Sequence, residues 1–446
     1  MRRPWSRIRA GRTLEHDTNM GCTQEVNVRH QSRTNSATHR SGPFVNKLIF
    51  AFTLLSLPFA AQAQQPASAQ PPDAIRSTLQ PLIDNHTIAG AVTLVATRDR
   101  ILYLQPAGYR DLAEKAAMPA DAIFWIASTS KPMTVTAFMM LVDEGKVSVD
   151  DPVEKYLPEF HGQMVKAPKD ANAPSPQAAS GAQAPSQLVA PSHPILVREI
   201  LSHTSGLPFK SSAQPGALDT LPLKDQVLSF AAEPLMFQPG TSYSYSNEGI
   251  DTAARIIEVV SGMSYEQFIQ QRLFWPLGMK DTTFWPNSEQ LTRLAETYKL
   301  DPKTRDLVKV PISQLTYPLD DHQHRFPMPA GGLFSTAADV STFCRMILNG
   351  GTLNGIRYIS PASLHAMTSL QNGGMQNQNY GFGWGITKNG FGHGGANKNA
   401  MDIDATTGRI FIFMVQQDGP WGTPAGDAMT STLEGIAENL VPQPSN

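Results

Sequence analysis

The sequence predicts a mixed α+β protein in which one sheet is assembled from both ends of the chain and a largely helical stretch lies between. Three observations carry this expectation. Near the front, the apolar runs "AGAVTLVA" and "RILYLQPAG" flank a polar turn around Thr97 to Asp99, a β-hairpin signal. Near the end, "NAMDIDATTGRIFIFMVQQD" reads as a second hairpin turning at Thr406 to Gly408. Between them, apolar residues recur in helical patterns. The expected division is a sheet domain from residues 70–132 and 330–446, and a mainly helical domain from 133–329.

Taken in order, "PPDAIRSTLQPLIDNHTIAG" predicts a helix from about Asp73, with Ile75, Leu79, Leu82 and Ile83 on its apolar face and a stop near Asn85. After the apolar approach "AIFWIA", a helix carries Met133, Val135, Phe138, Met139 and Val142 until Gly145 stops it. Pro132 fits only near its start. Residues 163–194 are rich in Ala, Pro, Ser and Gln and hold few large apolar side chains; too little surface is available to offset ordering, so a flexible surface loop is expected. A further helix is expected from about Gly249 to Val260 and an amphipathic one in "GDAMTSTLEGIAENLV". In "VSTFCRMIL", Val340, Phe343, Ile347 and Leu348 share a helical face and Cys344 adjoins it, as a structural thiol would.

The chain has 446 residues, 41% hydrophobic and 17% charged, enough for a large core. Lys47, an apolar stretch from Leu48 to about Ala60, and Ala61-Gln62-Ala63 have the layout of a secretory signal, with cleavage expected after Ala63 and a periplasmic destination. The Arg-rich residues 1–44 ahead of it suggest that translation begins nearer Val45. The apolar stretch is shorter than the ~20 residues of a membrane span, so no stable span is expected once it is removed. Residues 1–63 carry nine Lys/Arg and three Asp/Glu; the remaining 27 against 35 leave a net charge of −8. An acidic mature chain argues against nucleic-acid partners. Two cysteines, Cys22 and Cys344, leave one thiol and no intrachain disulfide in the mature form.

Three short motifs carry candidate chemistry. In "FWIASTSKPMTV", Ser128 and Lys131 stand three apart, so on a helix the amine reaches the hydroxyl. A desolvated lysine could then accept the serine proton, and the first-turn N–H groups would favour an anionic intermediate. The same residues could equally be the polar start of an ordinary helix. Tyr245-Ser246-Asn247 precedes the Gly249 helix. A phenol held near Lys131 could titrate low and act as a base, with Asn247 holding the amine and a substrate carbonyl; Tyr243 and Tyr245 could instead simply pack. His393-Gly394-Gly395 opens the last hairpin, where glycines let a substrate lie along a strand edge, although His before Gly-Gly is also an ordinary turn.

In that order these motifs resemble the serine β-lactamase and penicillin-binding-protein superfamily, specifically the branch of class C β-lactamases, D-alanyl-D-alanine carboxypeptidases and β-lactamase-like carboxylesterases. "ILSHTSGLP", "YSNEGIDTAARIIEVVSGMSYEQFI", "PLGMKDTTF", "PAGGLFSTAADVSTF" and "YGFGWGI" extend the likeness over nearly all of residues 73–440. The resemblance implies an antiparallel sheet flanked by helices, with an inserted helical domain and a site in the cleft between. It implies Ser128 as nucleophile, Lys131 as proton acceptor, Tyr245 as base or shuttle, Asn247 as positioning group and His393 as the electrostatic group opposite. The backbone N–H groups of Ser128 and Ala396 would form an oxyanion hole, with Gly394 and Gly395 lining the substrate. No metal or other cofactor is called for, and the expected partner is a small ester, amide or D-peptide.

His393-Gly394-Gly395 stands where class C β-lactamases usually carry Lys-Thr-Gly. A neutral imidazole and a missing hydroxyl hold a substrate carboxylate less well, which shifts the expectation toward an esterase or peptidase and away from a β-lactamase. No Gly-x-Ser-x-Gly elbow and no His-Glu-x-x-His occurs, and Asp321-His322-Gln323-His324 reads as a solvated cluster rather than a metal site. The rival from another class is a non-catalytic envelope protein that binds or is acylated by a cell-wall peptide or β-lactam.

Overall fold

Both hairpins form and meet at the centre of one sheet. In the computed structural model, residues 72–167, 187–214, 216–316 and 318–441 are described. The leader and signal expected over 1–63, and residues 168–186 of the expected loop, lie outside them. Helix α1 (Pro72–Asp84) leads into strands β1 (Gly90–Ala96), β2 (Ile101–Asp111) and the short β3 (Ala116–Ala117). Helix α2 (Ser130–Asp143) and helix α3 (Asn247–Ser261) follow, then α4 (Ala337–Leu348). The chain closes with β4 (Gly385–Ile386), β5 (Gly390–Gly394), β6 (Ala400–Asp404), β7 (Arg409–Val415) and α5 (Met429–Glu438).

The seven strands are antiparallel in the order β4-β5-β6-β7-β1-β2-β3. Leu94 of β1 stands opposite Leu104 of β2 on one side and Ile412 of β7 on the other. Every residue of β1 and β7 is buried, which explains why their apolar runs do not alternate: helices cover both faces of the sheet. On one face Ile75, Leu79 and Leu433 of α1 and α5 pack against Val95, Phe411 and Phe413. On the other, Val340, Phe343 and Ile347 of α4 pack beneath Leu94 and Ile412. Cys344 lies fully buried on α4 and burial pushes its thiol pKa up, the state of a structural thiol.

Helix α2 is buried from Ser130 to Leu141, and its apolar residues share one core with the sheet and with α3. Each large apolar side chain buried there contributes about 1.5–3 kcal/mol. Helix α3 begins two residues earlier than the periodicity suggests, because the Ser246 hydroxyl accepts from the Gly249 N–H at 3.2 Å and caps it; Gly262, with φ of 71°, ends it. The two ends of the expected loop pair with each other, Val165 opposite Val189 and Lys166 opposite Leu188. No helix among the described residues is long and apolar enough to cross a membrane.

Candidate active site

The approach to Ser128 is a braced, strained turn. Phe124 and Trp125 pair with Phe334 and Ser335, and the Trp125 indole donates to the Gly331 carbonyl at 2.7 Å. The Asn399 amide donates to the Trp125 carbonyl at 2.8 Å. Ala127, just before Ser128, has φ of 45°, a left-handed conformation that costs a non-glycine residue free energy and persists only when its surroundings hold it. One of them is Gly395: a Cβ there would lie 2.6 Å from the Ile126 carbonyl oxygen and 3.4 Å from the Ala127 Cβ. Gly395 is therefore needed for close approach of the last hairpin to the Ser128 turn.

Ser128 sits on a single 3-10 turn, Ala127–Thr129, that runs straight into α2. Lys131 is fully buried on the first turn of α2. Its Nζ lies 3.1 Å from Ser128 Oγ, 2.7 Å from the side-chain carbonyl of Asn247 and 2.8 Å from the Ala330 backbone carbonyl. The last two are pure acceptors, so each holds an N–H. A neutral amine then has its lone pair left for the Ser128 hydroxyl. Burial pushes the Lys131 pKa down to about 7, against the opposing pull of the Asp251 charge.

Tyr245 lies across the amine, with Lys131 Nζ 4.6 Å from its ring centroid, and its hydroxyl is hydrogen-bonded to Ser128. The expectation of a low-titrating phenol is not met: burial pushes Tyr245 above the usual tyrosine value, outweighing the Ser128 hydrogen bond. The group brought toward neutrality at working pH is the lysine.

The turn carrying Tyr245 is held by the "HTSGLPF" loop. Ser244 N–H donates to the His203 carbonyl, Ser246 N–H to His203 Nδ1 at 3.3 Å, and Asn247 N–H to the Phe209 carbonyl. His203 is buried with φ of 61°, its ring 4.5 Å from Tyr245 and 4.6 Å from Tyr380. Because Nδ1 accepts, the proton sits on Nε2, and burial keeps this imidazole neutral.

His393 faces the same cluster from β5. Its Nδ1 lies 2.8 Å from the Gly394 carbonyl and must donate to it, so Nε2 accepts from the Tyr380 hydroxyl at 3.0 Å. Desolvation, with the Lys131 charge, pushes its pKa down, so at this point of the strand stands a neutral imidazole. Beyond it Gly395 and Asn399 close a turn, with Ala396 exposed at its crest. A cleft of about 470 Å³ opens here, walled by Tyr243, Tyr245, Tyr380, Ile386, His393 and Gly394.

The motifs thus converge: Lys131 meets Ser128, Asn247 and the Tyr245 ring, the Tyr245 hydroxyl is hydrogen-bonded to Ser128, and the His393 ring centroid is 6.1 Å from that of Tyr245. Sequence reading assigned no role to Ala330, His203, Tyr380 or Asp251. Only Asp251 left a usable signal, standing four residues after Asn247 and so one helical turn along the same face. The Asp321 cluster is apart from this: His324 pairs with Asp321 at 2.7 Å and His322 stacks on Trp285. Among the described residues no group of His, Cys, Asp and Glu could hold a metal ion.

A nucleophile candidate beside a buried amine, hydrogen-bonded to a tyrosine that walls a cleft over an antiparallel sheet, is the arrangement of a serine hydrolase. Residues 75–433 match the family described as Beta-lactamase, and the chain belongs to that family of serine hydrolases. An uncharacterized protein of Mycobacterium tuberculosis (strain CDC 1551 / Oshkosh) is 33% identical over 305 residues, 66% of this chain and 71% of that one. Esterase EstB of Burkholderia gladioli is 29% identical over 244 residues, 51% of this chain and 55% of its own. Among solved structures, EstCE1, described as a hydrolase with promiscuous acyltransferase activity, superposes with a TM-score of 0.66 at 21% identity, covering 82% of this chain and 97% of that one; at this identity the likeness is one of fold.

Proposed function

We propose that the mature chain is an exported, periplasmic hydrolase that cleaves small carboxylic esters, or amides and D-peptides of similar size, through an acyl-enzyme on Ser128. The observation that carries this reading is the Lys131 amine, buried, held by two carbonyls and left with its lone pair toward Ser128 Oγ. Ser128 Oγ attacks the substrate carbonyl carbon as its proton passes to Lys131 Nζ. The bond to the leaving alcohol breaks as that alcohol takes a proton from Lys131, relayed by the neutral Tyr245 hydroxyl. Water then attacks the acyl carbon, its proton returning over the same groups, and Ser128 and the acid are released. The backbone N–H groups of Ser128 and Ala396 hold the negative oxygen in both steps.

An ester is favoured over a carboxylate-bearing β-lactam because the group on β5 is a neutral imidazole engaged with Tyr380, and no hydroxyl follows it. The test is turnover of a short-chain p-nitrophenyl ester and of a chromogenic cephalosporin by residues 64–446, with Ser128→Ala as blank. Ester turnover that vanishes in the variant supports the reading. Faster cephalosporin turnover makes the protein a β-lactamase instead, and no Ser128-dependent turnover of either points to a narrow D-peptidase or to a binding protein.

A further inference from the structure

Beneath Lys131 lies a buried carboxylate with no assigned role. Asp251 stands one turn after Asn247 on α3 and is 1% exposed. Its Oδ1 accepts from the Ala330 N–H at 2.8 Å, and its Oδ2 from the Gln226 amide at 3.1 Å. The carbonyl of the same residue, in the next peptide group, accepts from Lys131 Nζ at 2.8 Å. The carboxylate, the Ala330 backbone and the amine therefore form one chain of contacts, from α3 through the 328–333 segment to α2.

We propose that Asp251 is a positioning residue for the reaction: it clamps the N–H of Ala330, the residue whose carbonyl holds Lys131, and it supplies the buried negative charge that balances the amine. This rests on Lys131 being the proton acceptor of the proposed function. Both neighbours of the Asp251 carboxyl donate to it, as suits an anion. A bare lysine buried among α2, α3 and the 328–333 segment would lose its proton too readily to remain an effective base, and an opposite charge restores basicity. Between the two charges the pull is mutual: that of Asp251 raises Lys131 and that of Lys131 lowers Asp251, while burial, the larger effect on both, leaves the lysine lowered and the carboxyl raised from its ordinary value.

The other titratable groups facing the pair do not duplicate this role. Tyr245, His203 and His393 face Lys131 and are neutral, with Tyr245 raised and both histidines lowered. Tyr265 faces Asp251 from its own helix, its hydroxyl 2.7 Å from Thr134 Oγ1, and is also raised. Glu248, buried on α3, is pushed up to about 9 by burial first and then by the charges of Glu233 and Asp251, so at neutral pH it carries a proton and no charge. Asp251 is the group left to answer the ammonium.

The test uses Asp251→Asn, with Glu248→Gln as control. Asparagine keeps an acceptor for the Ala330 N–H, and Gln226, whose side-chain carbonyl has no partner, can turn its amide to receive the new N–H. The variant therefore removes the charge and little else. Two readouts are taken: the pH profile of kcat/KM for ester hydrolysis, and the titration of the Lys131 side chain by NMR in protein carrying carbon-13 at lysine Cε, assigned with Lys131→Met. In Asp251→Asn, Lys131 should titrate lower by on the order of one pH unit. The acid limb of the profile should move with it, and Glu248→Gln should leave both in place. An unmoved Lys131 titration in Asp251→Asn overturns the proposal, whatever the turnover. A moved titration in a protein whose ester turnover does not depend on Ser128 sustains the charge coupling and overturns the hydrolytic reading alone.

Discussion

The Lys131 amine lies 2.7 Å from the side-chain carbonyl of Asn247, a residue 116 positions further along the chain. That contact joins the first turn of α2 to the first turn of α3, and it fixes one N–H of the amine. The second is fixed by Ala330, so the direction of the lone pair follows from the fold.

The first prediction concerns pH. The proton acceptor must be neutral, and Lys131 is lowered to about 7. kcat/KM for an ester should therefore rise about tenfold per unit below pH 7 and level off above it. No basic limb should arise from Tyr245 below pH 10, since burial raises it. A profile over pH 5.5–9.5 checks both; a plateau already reached at pH 5.5 would remove Lys131 from the role.

Stability gives a second, independent view of the same group. The folded pKa of Lys131 is depressed from an ordinary value of 10.5, so between about pH 7 and 10.5 the unfolded chain binds the extra proton and stability rises with pH. Lys131→Met lacks this term. The Tm of the parent should therefore gain on that of the variant as pH goes from 7 to 10; a difference that stays constant over that range would show that the lysine is not perturbed in the folded state.

Tyr245→Phe keeps the ring beneath the amine and deletes only the hydroxyl that contacts Ser128. kcat should fall by about 10²–10⁴-fold, with Tm nearly unchanged. Steady-state kinetics beside thermal unfolding separates this from a packing role, in which Tm would fall and kcat would not.

Gly395→Ala places a methyl 2.6 Å from the Ile126 carbonyl, in backbone that cannot swing aside as a flexible side chain would. A loss of about 1–3 kcal/mol is expected on denaturant unfolding, together with most of the activity, because the displaced neighbour is the strained Ala127 turn. Gly394→Ala is the comparison: its Cβ would meet its nearest neighbour, the Asn399 carbonyl oxygen, at an ordinary 3.5 Å, and it should fold as the parent does.

Much of the framework was legible because it rests on local periodicity. The two hairpins, α1, α2, α3 and the α4 stripe announce themselves in residues a few positions apart. Ser128 and Lys131 are a local pair as well, and three residues of separation suffice to bring them together. The start of α3 was misjudged by two residues because the cap is a hydroxyl contact, invisible to hydrophobic spacing.

Which of the two candidate bases stands near neutrality was not legible. Whether Tyr245 or Lys131 is neutral depends on how completely each is buried and on which carboxylate shares the interior, and those are sums over groups far apart in sequence. His203, Tyr380 and Ala330 act through contacts made by loops whose spacing carries no pattern.

By itself the sequence determined the family, the two central hairpins with the main helices, and the residues offered for chemistry, since each of these is written in short motifs and in the side-chain period. The tertiary structure alone decided that Tyr245 is raised rather than low-titrating, that two carbonyls hold the Lys131 amine and that Asp251 lies behind it. Desolvation and charge pairing act through space, and only the folded chain sets those distances.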